Sequence, residues 1–139
     1  MKKTIIRYSI LLLIAVFIFI LIRFVFMKEK TFDKINYKQY TQLKSNNKTN
    51  YIYITSDDFK IEEFEHQLVL LMNEKNIDIK KLDVTKQSEF EQIISDELFI
   101  DYFSDSPVFP NLIIMKDGKI VNAITYLSQE ELENIEVEK

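Results

Sequence analysis

From Ile10 to Ile22 every residue is apolar, and the stretch runs with few interruptions from Ile5 to Met27. A bilayer core is crossed by about 20 helical residues of this kind, and few other environments accommodate such a run. Arg7 and Arg23 stand near its ends, where long side chains reach the headgroups by snorkelling, and Tyr8, Phe24 and Phe26 suit the interfaces. We read residues 5–27 as the membrane contact, residues 1–28 as an uncleaved signal anchor forming one N-terminal transmembrane helix, and residues 29–139 as one further domain. A cleaved signal peptide would share the basic start and apolar centre but end in small residues. This chain continues Arg23-Phe24-Val25-Phe26-Met27-Lys28 instead. Lys2, Lys3, Arg7 and the terminal amine favour a cytoplasmic N-terminus, a bias that Arg23, Lys28, Lys30 and Lys34 blunt. The expected arrangement is a single-pass cell-membrane protein with its body outside the cytoplasm.

Charge is divided unevenly. The first 28 residues hold five basic groups and no acid, so the remainder holds 18 − 5 = 13 basic groups and all 22 acids, a balance of 13 − 22 = −9. An acidic body argues against nucleic acid as a partner and against lying flat on an anionic bilayer. Cysteine is absent. That excludes disulfides, thiolate metal sites and a cysteine nucleophile. A single histidine, His66, offers no imidazole pair for zinc and sits opposite the apolar face of its helix, as a solvated residue does. No cofactor or metal is expected.

Within the body, Phe32 to Lys34 reads as a short extended stretch, and Tyr37, Tyr40 and Leu43 give a helical spacing closed by the polar run Ser45 to Asn50. Tyr51-Ile52-Tyr53-Ile54-Thr55 is aromatic or β-branched throughout, as in a buried central strand. Ser56-Asp57-Asp58 reads as a helix start, with a capping side chain and acids at the positive end of the dipole. Ile61, Phe64, Leu68, Leu71 and Met72 then mark one helical face as far as Asn76, and Ile77 to Val84 a second strand. Strand, helix, strand makes these two strands parallel. Ser88 to Phe103 forms another amphipathic stretch through Phe90, Ile93, Ile94, Leu98 and Phe99, and Ser104 to Pro110 a loop. Asn111 to Met115 and Ile120 to Thr125 pair across Lys116-Asp117-Gly118-Lys119, where the only glycine meets a hairpin's need for positive φ. Ser128-Gln129-Glu130-Glu131 fits a capping pattern for a closing helix through Leu132 and Ile135.

This order resembles the thioredoxin fold. The segment from Pro110 to Val121 is similar to the family's stretch of cis-proline, apolar strand, Lys-Asp-Gly hairpin and returning strand, and Leu127 to Leu132 to the start of its last helix. The resemblance covers about residues 32 to 135 and implies an α/β, three-layer thioredoxin-like fold with a mixed central sheet. Where the family places Cys-x-x-Cys, this chain has Ser56-Asp57-Asp58-Phe59-Lys60-Ile61, the two positions falling near Asp58 and Ile61. Tyr126 stands where many members have glycine.

The resemblance implies a groove with Asp58-Phe59 as one wall and Phe109, Pro110 and Asn111 as the other, presenting backbone beside a cis proline to an extended peptide. The candidate binding residues are therefore Asp57, Asp58, Phe59, Phe109, Pro110 and Asn111. Plain capping by Asp57 and Asp58, and a purely fold-shaping proline, are the alternatives. Carboxylates can also serve as acid and base or hold a hard cation, with Asp101 and Asp105 as further ligands. Three functions follow. The first is a non-enzymatic, redox-inactive module holding a peptide or an envelope protein. The second is an accessory or structural subunit of a bacteriocin, secretion or conjugation system with a vestigial groove, since the layout is similar to membrane-anchored bacteriocin transport accessory proteins. The third is a carboxylate or cation enzyme at Asp57 and Asp58. Thiol–disulfide exchange is excluded for want of a thiolate.

Overall fold

The computed structural model describes residues 12–22, 30–104 and 107–136. Residues 12–22 are helical with exposed side chains, and among the described residues no helix is long and apolar enough to cross a membrane. The rest of the 5–27 segment lies outside the described residues, as do Asp105 and Ser106.

Five strands form one mixed sheet in the order β1-β3-β2-β4-β5. They are β1 (Asp33–Ile35), β2 (Asn50–Thr55), β3 (Ile79–Asp83), β4 (Asn111–Lys116) and β5 (Lys119–Thr125). Every residue of β2 is buried. It runs parallel to β3, with Tyr51 opposite Ile79, and antiparallel to β4, with Ile52 opposite Ile113. Alternation divides its side chains between two cores. Tyr51 and Tyr53 join Phe64, Leu68, Met72, Leu112 and Leu132 on one face. Ile52 and Ile54 join Tyr40, Leu82, Ile93, Phe99 and Ile113 on the other. Helix α2 (Glu62–Lys75) and a 3₁₀ segment (Tyr126–Asn134) cover the first face. Helices α1 (Tyr37–Leu43), α3 (Gln87–Ile94) and α4 (Glu97–Phe103) cover the second. The three-layer, mixed-sheet architecture implied by the resemblance is thus present.

Three local expectations are corrected. The helix read as starting at Ser56-Asp57-Asp58 starts at Glu62, after an Ile61 cap with no side-chain hydrogen bond; Asp57 to Phe59 form a turn. The first-turn acids that favour a helix N-terminus are supplied by Glu62, Glu63 and Glu65 instead. The single stretch from Ser88 to Phe103 is two helices broken at Ser95-Asp96, which leaves Ile94 exposed. The closing segment is 3₁₀ and is capped by Thr125; Ser128 is the reciprocal partner, its hydroxyl accepting the Thr125 amide at 3.2 Å.

The break at Asp96 has a cause. Its carboxylate, 3 % exposed, caps α4 by accepting the Leu98 amide at 3.1 Å, and also accepts from Tyr37 Oη at 3.0 Å and from Lys44 Nζ. A continuous helix would give up this cap and leave a buried lysine–aspartate contact unmade. Burial, then the nearby Asp96 carboxylate, push the Tyr37 and Tyr40 phenols above their ordinary value of 10.0. At the other end of α1, the hairpin tip closes on its last turn. Asp117 and Gly118 have φ of 50° and 74°, and a Cβ at Gly118 would lie 2.4 Å from the Lys44 carbonyl oxygen.

Gly118→Ala is therefore expected to lower the urea midpoint by the equivalent of about 2 kcal/mol, from the left-handed backbone together with the clash. Asp96→Ala is expected to cost about 2 kcal/mol, from loss of the α4 cap together with the charge-assisted bonds from Lys44 and Tyr37. Stability should fall as pH rises above about 10, because the unfolded chain releases its tyrosine protons before the folded one does. Tyr40→Phe should flatten that alkaline limb in urea titrations at rising pH.

Candidate binding surface

The C-terminal ends of β2 and β3 and the start of β4 meet at one end of the sheet. In open α/β sheets, ligands bind beyond the carboxyl ends of the parallel strands. Here β2 leaves the sheet through buried Ser56 into the Asp57–Phe59 turn. The Phe59 amide donates to Ser56 O at 3.3 Å and the Asp58 amide to Ser56 Oγ at 3.3 Å. The Asp57 amide donates to Thr85 Oγ1 at 3.1 Å, and Thr85 is held in turn by Asp83 Oδ1 at 2.9 Å from its amide and 2.5 Å from its hydroxyl. The turn is thereby pinned to the end of β3.

Its direction is set by Phe59. The Phe59 ring lies 5.2 Å from Phe109 and 6.2 Å from Phe90, and Phe90 lies 5.6 Å from Phe109. Phe109 also stacks on buried Phe99 at 5.7 Å and 9°. The Phe109–Pro110 bond is cis. Phe59, Phe90 and Phe109 are each half-buried, and Val108 beside them is 39 % exposed. The outcome is a three-ring apolar surface rather than an open cleft, because the two expected walls touch through Phe59 and Phe109.

The other candidate residues divide. Asp57 and Asp58 are exposed on the turn bordering the rings. Pro110 and Asn111 are buried. Asn111 Nδ2 donates to Val108 O at 2.8 Å, which ties the proline loop to β4, while its Oδ1 is buried with no hydrogen-bond partner among the described residues. Among the described residues no group of three histidine, aspartate or glutamate side chains comes together to hold a metal ion. Asp101 lines a separate, open cavity of about 300 Å³ with Leu98, Tyr102, Lys119 and Ile120, while Asp105 lies outside the described residues. Sequence reasoning placed Phe90 and Phe99 on an apolar helical face but did not bring them to Phe59 and Phe109. The available signal was Phe59 itself, a large ring directly after two acids where a polar first turn was expected.

No protein-family model and no curated protein matches the chain, but solved structures match it in shape. Mitochondrial thioredoxin 3 of Saccharomyces cerevisiae, in its oxidised form, is 18 % identical with a TM-score of 0.54, over 74 % of this chain and 91 % of that one. Thioredoxin of Malassezia sympodialis is 15 % identical with a TM-score of 0.56, over 75 % and 86 %. Thioredoxin of Trypanosoma brucei brucei is 13 % identical with a TM-score of 0.52, over 78 % and 94 %. At these identities the likeness is one of fold, and the chain has a thioredoxin-like α/β fold built without a cysteine.

Proposed function

We propose that this chain is a membrane-anchored, redox-inactive thioredoxin-like protein, not an enzyme, that binds a protein or peptide at the cell envelope. The observation that carries the reading is the half-buried surface of Phe59, Phe90 and Phe109 beside the cis Pro110 loop. Well-packed aromatic side chains with one accessible face supply much contact area for little lost conformational freedom, which is what interface anchors do. With no cysteine in the sequence, this end of the sheet has no thiolate with which to exchange disulfides. Membrane attachment rests on the apolar run from Ile5 to Met27, with the N-terminus cytoplasmic and the body outside.

The contact between Phe59 and Phe109 favours a second reading, because it fills the space that a groove would leave. In it, the protein is an accessory or structural subunit of a bacteriocin, secretion or conjugation system, held in place through its anchor.

The two readings separate in native membranes. A photo-reactive phenylalanine analogue at position 59 or 109 is expected to crosslink one discrete partner, while the same analogue at exposed position 66 on α2 gives none. Absence of crosslinks from both 59 and 109 would falsify the binding-surface reading. Replacing residues 1–28 with an unrelated anchor is expected to leave the crosslink intact; its loss would support the accessory-subunit reading.

A further inference from the structure

The charges around the three rings bear on what they bind, an inference that rests on the proposed binding surface. Asp57 and Asp58 are exposed on the turn that carries Phe59, and among the described residues neither carboxylate enters a hydrogen bond or an ion pair. Capping would account for them if a helix began there, but α2 begins at Glu62. Among the described residues the Asp83 carboxylate, at the adjoining end of β3, holds only Thr85. Of the cations nearest in sequence, Lys60 Nζ lies 3.5 Å from Glu65 and the exposed Lys86 Nζ lies 4.0 Å from Glu89, and neither pairs with these three carboxylates. Among the described residues the apolar rings are thus bordered by carboxylates that pair with no cation, on a body whose overall balance is −9 (13 − 22 after residue 28).

We infer that the occupant of this surface is a cationic peptide segment, with an apolar side chain seated on Phe59, Phe90 and Phe109 and flanking lysines or arginines facing Asp57, Asp58 and Asp83. Complementary charge at the rim selects the partner and speeds its approach, while the rings supply the anchor. The flanking cations can also approach the ring faces, where the aromatic quadrupole attracts them.

The full chain in non-ionic detergent would be titrated into a short fluorescent peptide with a central Leu-Phe pair and two lysines on each side. A matched peptide carries glutamine in place of lysine. At about 0.1 M salt the lysine peptide is expected to bind about tenfold more tightly than the glutamine peptide. The Asp57→Asn, Asp58→Asn double variant should abolish that difference, and the Glu130→Gln, Glu131→Gln double variant, neutralising exposed acids on the 3₁₀ segment, should retain it. Equal affinity for the two peptides overturns the charge inference and leaves the aromatic docking surface standing. Equal loss in the two double variants overturns it as well, since net charge alone would then explain the binding. A lysine peptide that binds but does not crosslink from position 59 or 109 overturns both the inference and the surface on which it rests.

Discussion

Strand β2 has no solvent face. Six consecutive residues, Asn50 to Thr55, are buried, so both sides of the sheet around it must be covered and both of its edges must be paired. The parallel partner β3 can be reached only by a crossover, which is α2, and that helix covers the face holding Tyr51 and Tyr53. The opposite face, with Ile52 and Ile54, is left to α1, α3 and α4. The antiparallel partner β4 enters from the Pro110 loop and therefore begins where β2 ends. That single strand accordingly fixes where the turn after Thr55, the end of β3 and the proline loop meet. The edges of the sheet are guarded by simpler means. β1 is three residues long and carries Asp33 and Lys34, and β5 bulges at exposed Val121, opposite the register shift between Ile114 and Met115.

Much of this was legible because it depends on periodicity and turn chemistry. The aromatic and β-branched run from Tyr51 to Thr55, the apolar face through Phe64, Leu68, Leu71 and Met72, and the Asp117-Gly118 turn all stand as read. The break between α3 and α4 was not legible. Periodicity runs straight through Ser95-Asp96, and the local cap that Asp96 gives the Leu98 amide is reinforced by a contact with Tyr37 and Lys44, more than 50 residues away in sequence. Local pattern carries no information about a buried partner at that separation. The shift of the closing cap from Ser128 to Thr125 has a local cause, since Ser128 stands where the capping pattern has Glu or Gln and serves Thr125 as its reciprocal partner.

The misplaced start of α2 has an energetic explanation. Ser56, Asp57 and Asp58 make a good N-terminus on local grounds, and such a cap stabilises by about 1 kcal/mol. Phe59 decides against it. Full burial of a Phe side chain gains about 1.5–3 kcal/mol, so half-burial gains about 1 kcal/mol, and each well-oriented ring pair adds about 0.5–1.5 kcal/mol. Phe59 gains two such neighbours, Phe90 and Phe109, by leaving the helical path. The helix then begins at Glu62, after Ile61, which is half-buried against the core beneath α2 and makes no side-chain cap. Tertiary packing overrode a local preference, and the override drew the site's aromatic surface together.

The same shift bears on how this fold came to lack redox chemistry. A helix N-terminus stabilises a thiolate because its first amide groups point unpaired at the end of the dipole. In this chain the amides of Asp57, Asp58 and Phe59 are turned to Thr85 and Ser56. The residues beside the real helix start are Glu62, Glu63 and Glu65, whose negative charge disfavours a second anion there. A thiol at position 58 would therefore meet neither free donors nor a dipole end. In this chain the backbone of the turn, as well as the missing thiol, argues against thiolate chemistry. In the proposed function, that turn meets a partner with an apolar surface and an acidic rim in place of a reactive group.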